Sequence, residues 1–253
     1  MIMHRFHLPP ESCRGESLRL EGREAHHALQ VLRLRRDERV TVLDGAGNEF
    51  LCEVREAAKQ FLALDIKEKR SSPPPACAIT LLVAVPKGKI IEGIIQKAVE
   101  LGASRIVPLL TERVVTQLDD DGAEGKREKW QQVAIEAIKQ CGAAWLPKVE
   151  APQGIAEFLE RGEKSELALV GSLQTGRRHP REWIVEFQKQ HGRLPQSAAV
   201  WIGPEGDFTL EEIRRIEAAG AKPVTLGALT LRVETAAIYC LSFLNYELNP
   251  GAK

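Results

Sequence analysis

The stretch from residue 198 to residue 244 restricts the fold of this chain more than any other. An apolar segment at 198–202 leads into a glycine-containing turn, a helical segment, a short apolar segment, a second glycine turn and a final apolar helical segment. This alternation predicts an α/β layer with a mostly parallel sheet. We expect the two turns to follow two neighbouring strands at their carboxyl ends, which is where open α/β sheets bind ligands.

The first turn reads Gly203-Pro204-Glu205-Gly206-Asp207-Phe208. Its glycines allow a sharp turn and a close approach of the backbone to a ligand, because no Cβ is in the way. The next four residues, Thr209-Leu210-Glu211-Glu212, have the spacing of a capping box. A helix should therefore begin here with its free N–H groups directed toward the turn, although the turn alone also fits a plain strand-to-helix connection.

The second turn, residues 226–236, reads LGALTLRVETA. It places Arg232, Glu234 and Thr235 at the start of an otherwise apolar helical segment. A helix that only packs in a core does not need these polar residues at its start. The two turns together therefore favour a functional site, while a structural Arg232–Glu234 ion pair remains the alternative.

GPEGDFTLEEI at 203–213 and LGALTLRVETA at 226–236 resemble the paired signature of the bacterial ribosomal RNA small subunit methyltransferase E family. The resemblance continues at 26–33, 44–47, 87–111 and 134–142. That family methylates N3 of a uridine in 16S rRNA and belongs to the SPOUT class of knotted methyltransferases. The resemblance implies a trefoil-knotted α/β domain, a preceding PUA-like β-barrel that binds RNA, and a homodimer.

A proline run divides the chain independently of any family. Residues 71–75 read SSPPP, and consecutive prolines exclude both helix and strand pairing. We place one domain at 1–72 and a second at 76–253. Alternating hydrophobicity predicts a short helix at 24–33 and antiparallel strands at 4–8, 39–43, 50–55 and 61–67 in the first domain. In the second, the pattern predicts strands at 79–85, 106–110 and 167–170 and helices at 89–101, 124–141 and 181–190.

The resemblance also implies the cofactor and its contacts. S-adenosylmethionine would be held largely by the backbone of seven residues: Gly171, Ile202, Gly203, Gly206, Leu226, Gly227 and Leu231. The chain departs from the family pattern at three places, where Asp207 replaces a glycine and Ala143 and Leu229 replace arginines.

Methyl transfer from a sulfonium depends mainly on positioning, since the electrophile is already activated. Uracil N3 carries a proton, however, so a base or a nearby cation is expected. The candidate catalytic residues are Arg113, Glu205, Arg232 and Glu234. Arg232 would stabilise negative charge on the uracil, and either glutamate would accept the proton or orient the arginine, so the base stays open.

Charge bears on the RNA partner. The 35 basic and 35 acidic residues balance, which weighs against binding RNA by bulk electrostatics and favours an assembled small ribosomal subunit over naked RNA as the substrate. Two local basic clusters are predicted RNA contacts, with solvated faces as the alternative. They comprise Arg33, Arg35 and Arg36 in the first domain and Arg177 and Arg178 in the second.

Cysteine and histidine spacing predicts neither a disulfide framework nor a metal site, because the five cysteines are scattered without a CxxC pair and no HExxH occurs. No apolar run reaches the roughly 18 residues of a membrane span, so we expect a cytoplasmic protein without membrane contact.

Two alternatives to a 16S rRNA uridine-N3 methyltransferase stay open. One is a SPOUT methyltransferase that acts on another rRNA or tRNA nucleotide. The other is a catalytically silent RNA-binding or ribosome-assembly factor, suggested by the missing arginines at 143 and 229. Dinucleotide-binding and P-loop fingerprints do not occur in the required strand-turn-helix setting.

Overall fold

The computed structural model of the chain describes residues 4–113, 120–174 and 176–249. The chain separates into two compact units, one formed by residues 1–74 with 135–146 and the other by residues 75–134 with 147–253. None of the described helices is long and apolar enough to span a membrane.

The N-terminal unit is built on a five-stranded sheet in the order β1-β3-β4-β5-β2. Its strands are β1 (Arg5–His7), β2 (Ser17–Leu20), β3 (Arg39–Leu43), β4 (Asn48–Ala57) and β5 (Leu62–Ser71). The predicted strands are confirmed, but β2 is an addition, and β1 pairs with β3 in parallel whereas the other pairs are antiparallel. The predicted helix is the short α1 (Gly22–His26), which continues as one π-helical segment over His27–Val31.

Residues 135–146 belong to this unit, which they contact through Lys139, Ala144 and Trp145. The ammonium of Lys139 lies 2.8 Å from a carboxylate oxygen of Glu24, and both side chains are mostly buried. The N–H of Gly47 donates to the carbonyl of Ala144 at 2.9 Å. Gly47 has a φ of 93°, and a Cβ there would lie 2.6 Å from the ring of Trp145, so only glycine fits. The glycine of this turn is thus explained by packing within the unit.

The second unit contains a parallel sheet in the order β12-β10-β11-β6-β7-β8, with the short strand β9 also paired to β7. Its strands are β6 (Ala78–Ala84), β7 (Arg105–Leu110), β8 (Lys148–Val149), β9 (Gln153–Gly154), β10 (Leu167–Gly171), β11 (Ser197–Ile202) and β12 (Lys222–Val224). Its helices are α2 (Ile90–Glu100), α3 (Asp120–Cys141), α4 (Ile155–Glu160), α5 (Pro180–His191), α6 (Leu210–Ala218) and α7 (Val233–Leu248), of which α3 continues into the N-terminal unit. The predicted parallel α/β layer is confirmed.

One predicted adjacency is wrong. We expected the strands before the two glycine turns, β11 and β12, to be neighbours, but β10 lies between them. The reason is that β6 pairs along the other side of β11, so after α6 the chain passes β10 and adds β12 at the free edge beyond it. Because all these strands are parallel, the turns still leave the sheet at the same edge.

The last helix, α7, is fixed to the start of the sheet at its carboxyl end. The side chain of Asn249 accepts the N–H of Cys77 at 2.8 Å and donates to the carbonyl of the same residue at 3.1 Å. Along its length α7 packs on β6, β11 and α2, and it buries Ala237, Leu241 and Leu244. This packing fixes where α7 begins, which is next to the loops described below.

Candidate functional site

A single cavity is formed where three loops leave the carboxyl ends of β10, β11 and β12 and meet the start of α7. The space measures about 560 Å³ when its open mouth is included. It is lined by Gly171, Ser172, Leu173, Arg177, Ile202, Gly203, Pro204, Glu205, Asp207, Leu226, Gly227, Leu229, Thr230, Leu231, Val233 and Ala236. The edge of the sheet is therefore the place where a ligand fits, as the strand pattern predicts.

The lining combines apolar side chains with a few polar groups. Ile202, Leu226 and Leu231 offer apolar surface, while the charged lining residues are two carboxylates and one arginine, namely Glu205, Asp207 and Arg177. A mostly apolar wall with a few polar groups is the usual composition of a small-molecule site. This cavity suits a ligand with a flat apolar ring at one point and charged groups at another.

The loop after β11 is folded tightly around Gly203. A Cβ at this residue would lie 3.0 Å from the amide nitrogen of Phe208, so a larger residue would displace the loop. The N–H of Asp207 closes the turn by donating to the carbonyl of Pro204 at 2.9 Å. Phe208 anchors the loop because its side chain is 1% exposed in the core of the unit.

The predicted capping box at the start of α6 is confirmed. The hydroxyl of Thr209 accepts the N–H of Glu212 at 3.2 Å, and the carboxylate of Glu212 accepts the N–H of Thr209 at 2.7 Å. The other oxygen of the buried Glu212 accepts the N–H of Glu112 at 2.9 Å. One carboxylate thus starts a helix and also holds the loop that follows β7.

Arg113, in that same loop, supports the cavity from outside it. Its guanidinium donates to the carbonyl of Gly206, and to the carbonyl of Asp207 at 3.3 Å. Arg113 and Gly206 are not among the residues that line the cavity. The structure therefore places this predicted catalytic arginine against the backbone of the loop after β11.

The loop after β12 reaches the cavity with Gly227 at its turn. Gly227 has a φ of 115°, which side chains rarely adopt, and a Cβ there would meet no atom within 4 Å. Its N–H donates to the hydroxyl of Thr225 at 3.3 Å. The glycine is therefore required by backbone conformation rather than by crowding.

Arg232 and Glu234 flank lining residues without lining the cavity themselves. Arg232 is the N-cap residue of α7, and its side chain makes no capping hydrogen bond. Among the described residues no ion pair joins Arg232 to Glu234, so the structural ion pair that we considered is absent here. Both lie at the start of α7, where they flank the lining residues Leu231 and Val233.

Of the predicted catalytic and cofactor-binding residues, the structure brings seven together around the cavity: Gly171, Ile202, Gly203, Glu205, Leu226, Gly227 and Leu231.

Arg177 and Arg178 differ, although both belong to one predicted RNA-binding cluster. Arg177 lines the cavity, and its guanidinium donates to the carbonyl of Ser172 at 3.2 Å. Arg178 instead donates to Glu182 at 3.1 Å and Glu186 at 2.8 Å. The sequence analysis therefore did not identify Arg177 as a residue of the cavity. Nothing in the spacing of the sequence distinguishes it from Arg178.

The other predicted RNA contacts lie in the N-terminal unit, in the loop after the π-helical segment. Arg33, Arg35 and Arg36 are all exposed. Arg33 has a φ of 57°, and the backbone N–H of Arg35 donates to the carboxylate of Glu38 at 2.6 Å. The loop therefore has a defined shape that presents guanidinium groups to solvent.

Comparison with known proteins identifies the family. Residues 73–245 match the RNA methyltransferase domain family, and residues 20–67 match the RNA methyltransferase PUA domain. The chain is 33% identical to the ribosomal RNA small subunit methyltransferase E of Synechocystis sp. (strain ATCC 27184 / PCC 6803 / Kazusa), over 97% of this chain and 78% of that protein. The chain belongs to the ribosomal RNA small subunit methyltransferase E family. The namesake from Bacillus subtilis (strain 168) is 30% identical over 90% of this chain and 89% of its own length.

Two solved structures share the fold of this methyltransferase E family member. A Legionella pneumophila protein described as a methyltransferase, in complex with S-adenosylmethionine, has a TM-score of 0.87 at 31% identity and covers 98% of both chains. The methyltransferase E of Neisseria gonorrhoeae, also bound to S-adenosylmethionine, has a TM-score of 0.81 at 28% identity and covers 97% of this chain and 98% of its own.

The family member departs from the usual pattern at Ala143, and the structure shows a guanidinium close by. Arg5 donates to the carbonyls of Lys139 at 3.4 Å and Gln140 at 3.2 Å, at the carboxyl end of α3. A Cβ on Gly142 would lie 3.0 Å from this guanidinium. Arg5 therefore places positive charge at the negative end of the helix, beside Ala143, where the resemblance implied an arginine.

Proposed function

We propose that the protein transfers a methyl group from S-adenosylmethionine to N3 of a uridine in the 16S rRNA of the small ribosomal subunit. The observation that carries the proposal is the cavity formed by the three loops, in a chain of the methyltransferase E family. The two related structures with bound S-adenosylmethionine support the choice of cofactor.

The residues present fit this cofactor. Ile202, Leu226 and Leu231 offer apolar surface for the adenine, and the loop backbone at Gly203 and Gly227 approaches without side chains. Ser172 and Thr230 offer partners to its hydroxyl and ammonium groups, and Arg177 offers a charge partner to its carboxylate. When bound, S-adenosylmethionine supplies a methyl group on a positively charged sulfur.

Glu205 is our candidate for the group that accepts the N3 proton. It is the glutamate of the predicted set that lines the cavity, whereas Glu234 does not. Arg232, the residue directly before α7, is assigned to stabilise negative charge on the uracil. Arg113 contributes by holding the loop that carries Glu205.

RNA binding is assigned to the N-terminal domain, which we place at 1–72, and catalysis to the domain at 76–253. The match of residues 20–67 to the RNA methyltransferase PUA domain and the loop arginines 33, 35 and 36 support the first assignment. A trefoil knot in the second domain is supported by the strand order, since β12 lies at the edge while the following helix packs on β6 near the middle of the sheet.

A homodimer is also part of the proposal. Tyr239 and Tyr246 are 45% and 82% exposed on one face of α7, together with Thr235 and Ser242. These four residues recur at intervals of three and four, so they form one continuous stripe. An exposed stripe with two aromatic rings suits a subunit interface.

The test is transfer from labelled S-adenosylmethionine to small ribosomal subunits that lack their modifications, followed by mapping of the labelled nucleotide. We expect one N3-methyluridine in 16S rRNA. Glu205→Gln should lower turnover by roughly 10²-fold or more, the range of a lost general base, with little change in cofactor affinity. The matched control is Glu211→Gln, because Glu211 is exposed, does not line the cavity and pairs with Arg215 at 2.9 Å.

Each other outcome identifies an alternative. Label at a different nucleotide would retain the methyltransferase and replace the substrate. Tight binding to the subunit without any transfer would indicate a silent assembly factor. Full activity in Glu205→Gln would remove Glu205 as the base.

A further inference from the structure

Asp207 holds a backbone conformation that glycine adopts more easily. Three of the described residues other than glycine have a positive φ, namely Arg33, Asp37 and Asp207, and Asp207 has a φ of 63°. Side chains disfavour this region, although aspartate tolerates it better than most. Asp207 is the buried member of the three, at 8% exposure.

The buried carboxylate joins two loops of the cavity. One oxygen accepts the N–H of Leu173 at 3.0 Å, and the other accepts the N–H of Phe208 at 2.8 Å. Leu173 lies in the loop after β10, and Phe208 closes the loop after β11. A Cβ on Gly203 would lie 3.3 Å from the second oxygen, so the carboxylate is packed against the turn.

The loop that Asp207 holds carries groups that face the cavity. Ser172 and Leu173 both line it, and the carbonyl of Ser172 accepts the guanidinium of Arg177. Hydrogen bonds to an ionised acceptor are stronger than those between neutral groups, and a buried N–H without a partner is costly. Removal of the carboxylate would therefore release the Leu173 amide and loosen the segment whose Ser172 carbonyl binds Arg177, although the N–H of Ser172 still donates to the carbonyl of Val224 at 3.3 Å.

We propose that Asp207 is a positioning residue that fixes the loop after β10 against the loop after β11 and so holds the cofactor cavity in its binding shape before the cofactor arrives. The inference rests on the proposed function in one respect, namely that the cavity binds S-adenosylmethionine. The positive φ of Asp207 strains the backbone and so lowers the stability of the fold. In return, the cavity loses less conformational entropy when the cofactor binds, which raises the affinity. Loss of the carboxylate should therefore weaken cofactor binding more than it weakens the fold, because relief of the backbone strain offsets part of the lost hydrogen bonding.

Asp207→Gly separates these two effects. Glycine adopts a φ of 63° without strain, and this relief offsets part of the two lost hydrogen bonds, so the melting temperature of the ligand-free protein should fall only slightly. The dissociation constant for S-adenosylmethionine, measured by calorimetry, should increase about tenfold, and the Leu173 amide should exchange with solvent at least about tenfold faster. Asp207→Asn keeps one carbonyl acceptor and tolerates the backbone, so it should recover part of the affinity.

The matched control is Asp37→Gly. Asp37 has a φ of 69°, so its replacement relieves the same kind of strain, but it is exposed in the N-terminal unit and does not line the cavity. This variant should not lower the melting temperature, since what it loses is an exposed ion pair with Arg36 at 3.8 Å, and it should bind S-adenosylmethionine like the wild type.

Three results would overturn the inference. They are wild-type cofactor affinity in Asp207→Gly, unchanged exchange of the Leu173 amide, and a large fall in melting temperature that accompanies the loss of affinity. Failure of the proposed function looks different, because the wild type itself would then not bind S-adenosylmethionine. In that case the exchange of Leu173 still decides whether Asp207 fixes the loop.

Discussion

Adjacent arginines illustrate what a residue-level pattern can and cannot predict. Arg177 and Arg178 form one basic cluster in the sequence, yet the structure gives them different partners. Arg178 has two carboxylates within hydrogen-bonding distance and lies 4.0 Å above the ring of Trp183. Arg177 has no ion pair with a carboxylate of the described residues, and it lines the cavity. The sequence predicted that this cluster is basic. It could not predict the partners of each arginine, because these depend on which side chains of α5 lie close to it in the fold.

Arg177→Ala should therefore reduce methyl transfer, whereas Arg178→Ala should mainly affect stability. We expect transfer at a subsaturating concentration of S-adenosylmethionine to fall by roughly tenfold to a hundredfold in the first variant, because the cation proposed to bind the carboxylate of the cofactor is removed. In the second, the free energy of unfolding should fall only slightly, since solvent screens these exposed ion pairs. Single-turnover methyl transfer and urea unfolding of both variants test the pair. Normal transfer in Arg177→Ala would contradict the assignment.

At the scale of elements, the sequence predicted most of the second unit. The strands β6, β7, β10 and β11 and the helices α2, α5, α6 and α7 occur within a few residues of their predicted limits, because each has a clear hydrophobic period and a cap or glycine at its end. The two-residue strands β8 and β9 and the six-residue α4 were missed. Such short elements depend on long-range pairing, which leaves no local period.

Two further features could not be predicted from the sequence, because they also depend on long-range contacts. They are the position of β12 in the sheet and the fact that residues 135–146 belong to the N-terminal unit. A three-residue strand contains nothing that specifies its neighbour, and pairing is decided by which sheet edge is free. A helix such as α3 has one continuous period, although its last turns belong to a different unit from its first. The domain limits at 72 and 76 accordingly remain a prediction.

The elements β7, β8 and α4 meet at a buried carboxylate, and this cluster leads to a pH prediction. Glu150, which directly follows β8, accepts hydrogen bonds from Arg105 at 2.8 Å, Arg161 at 2.8 Å and Gln153 at 3.1 Å. Burial alone would raise the pKa of Glu150, but the hydrogen bonds from Arg161 and Gln153 and the charge of Arg105 outweigh it and lower the pKa to about 2.

A carboxyl group whose pKa is lower in the folded state stabilises the protein above its unfolded pKa, and this stabilisation disappears as the pH falls toward the folded pKa. The contribution of Glu150 should therefore be complete at neutral pH and disappear between roughly pH 4.5 and pH 2. Glu150→Gln should lower the free energy of unfolding by about 2 kcal/mol at pH 7 and by clearly less near pH 3. Urea unfolding at both values measures this difference, and an equal effect at both would show that the charge of Glu150 is not responsible.

For the whole molecule, charge is the property that relates the site to its substrate. The chain has no formal net charge, and several of its arginines are already paired with carboxylates, among them Arg105, Arg178 and Arg193. Phosphate contacts position a protein on RNA and account for most of the salt dependence of binding. A protein without net charge must gain much of its affinity from the shape of a folded target, which a naked RNA offers less reliably than an assembled particle.

We therefore expect methyl transfer to assembled small subunits to exceed transfer to protein-free 16S rRNA by about tenfold or more at ~0.15 M salt.

If the exposed Arg35 and Arg36 bind phosphates, the logarithm of the apparent affinity should fall with the logarithm of salt concentration with a shallow slope of about 2 to 3. Replacement of both arginines by alanine should reduce this slope by about one unit for each phosphate that is no longer bound, and leave the affinity for S-adenosylmethionine unchanged. Initial rates with labelled cofactor on the two substrates, over a salt series, measure the rate ratio and both slopes. Equal rates on naked RNA and assembled subunits would mean that the target nucleotide and its immediate sequence carry the recognition, and a steep slope would mean that cations other than these two bind the phosphates.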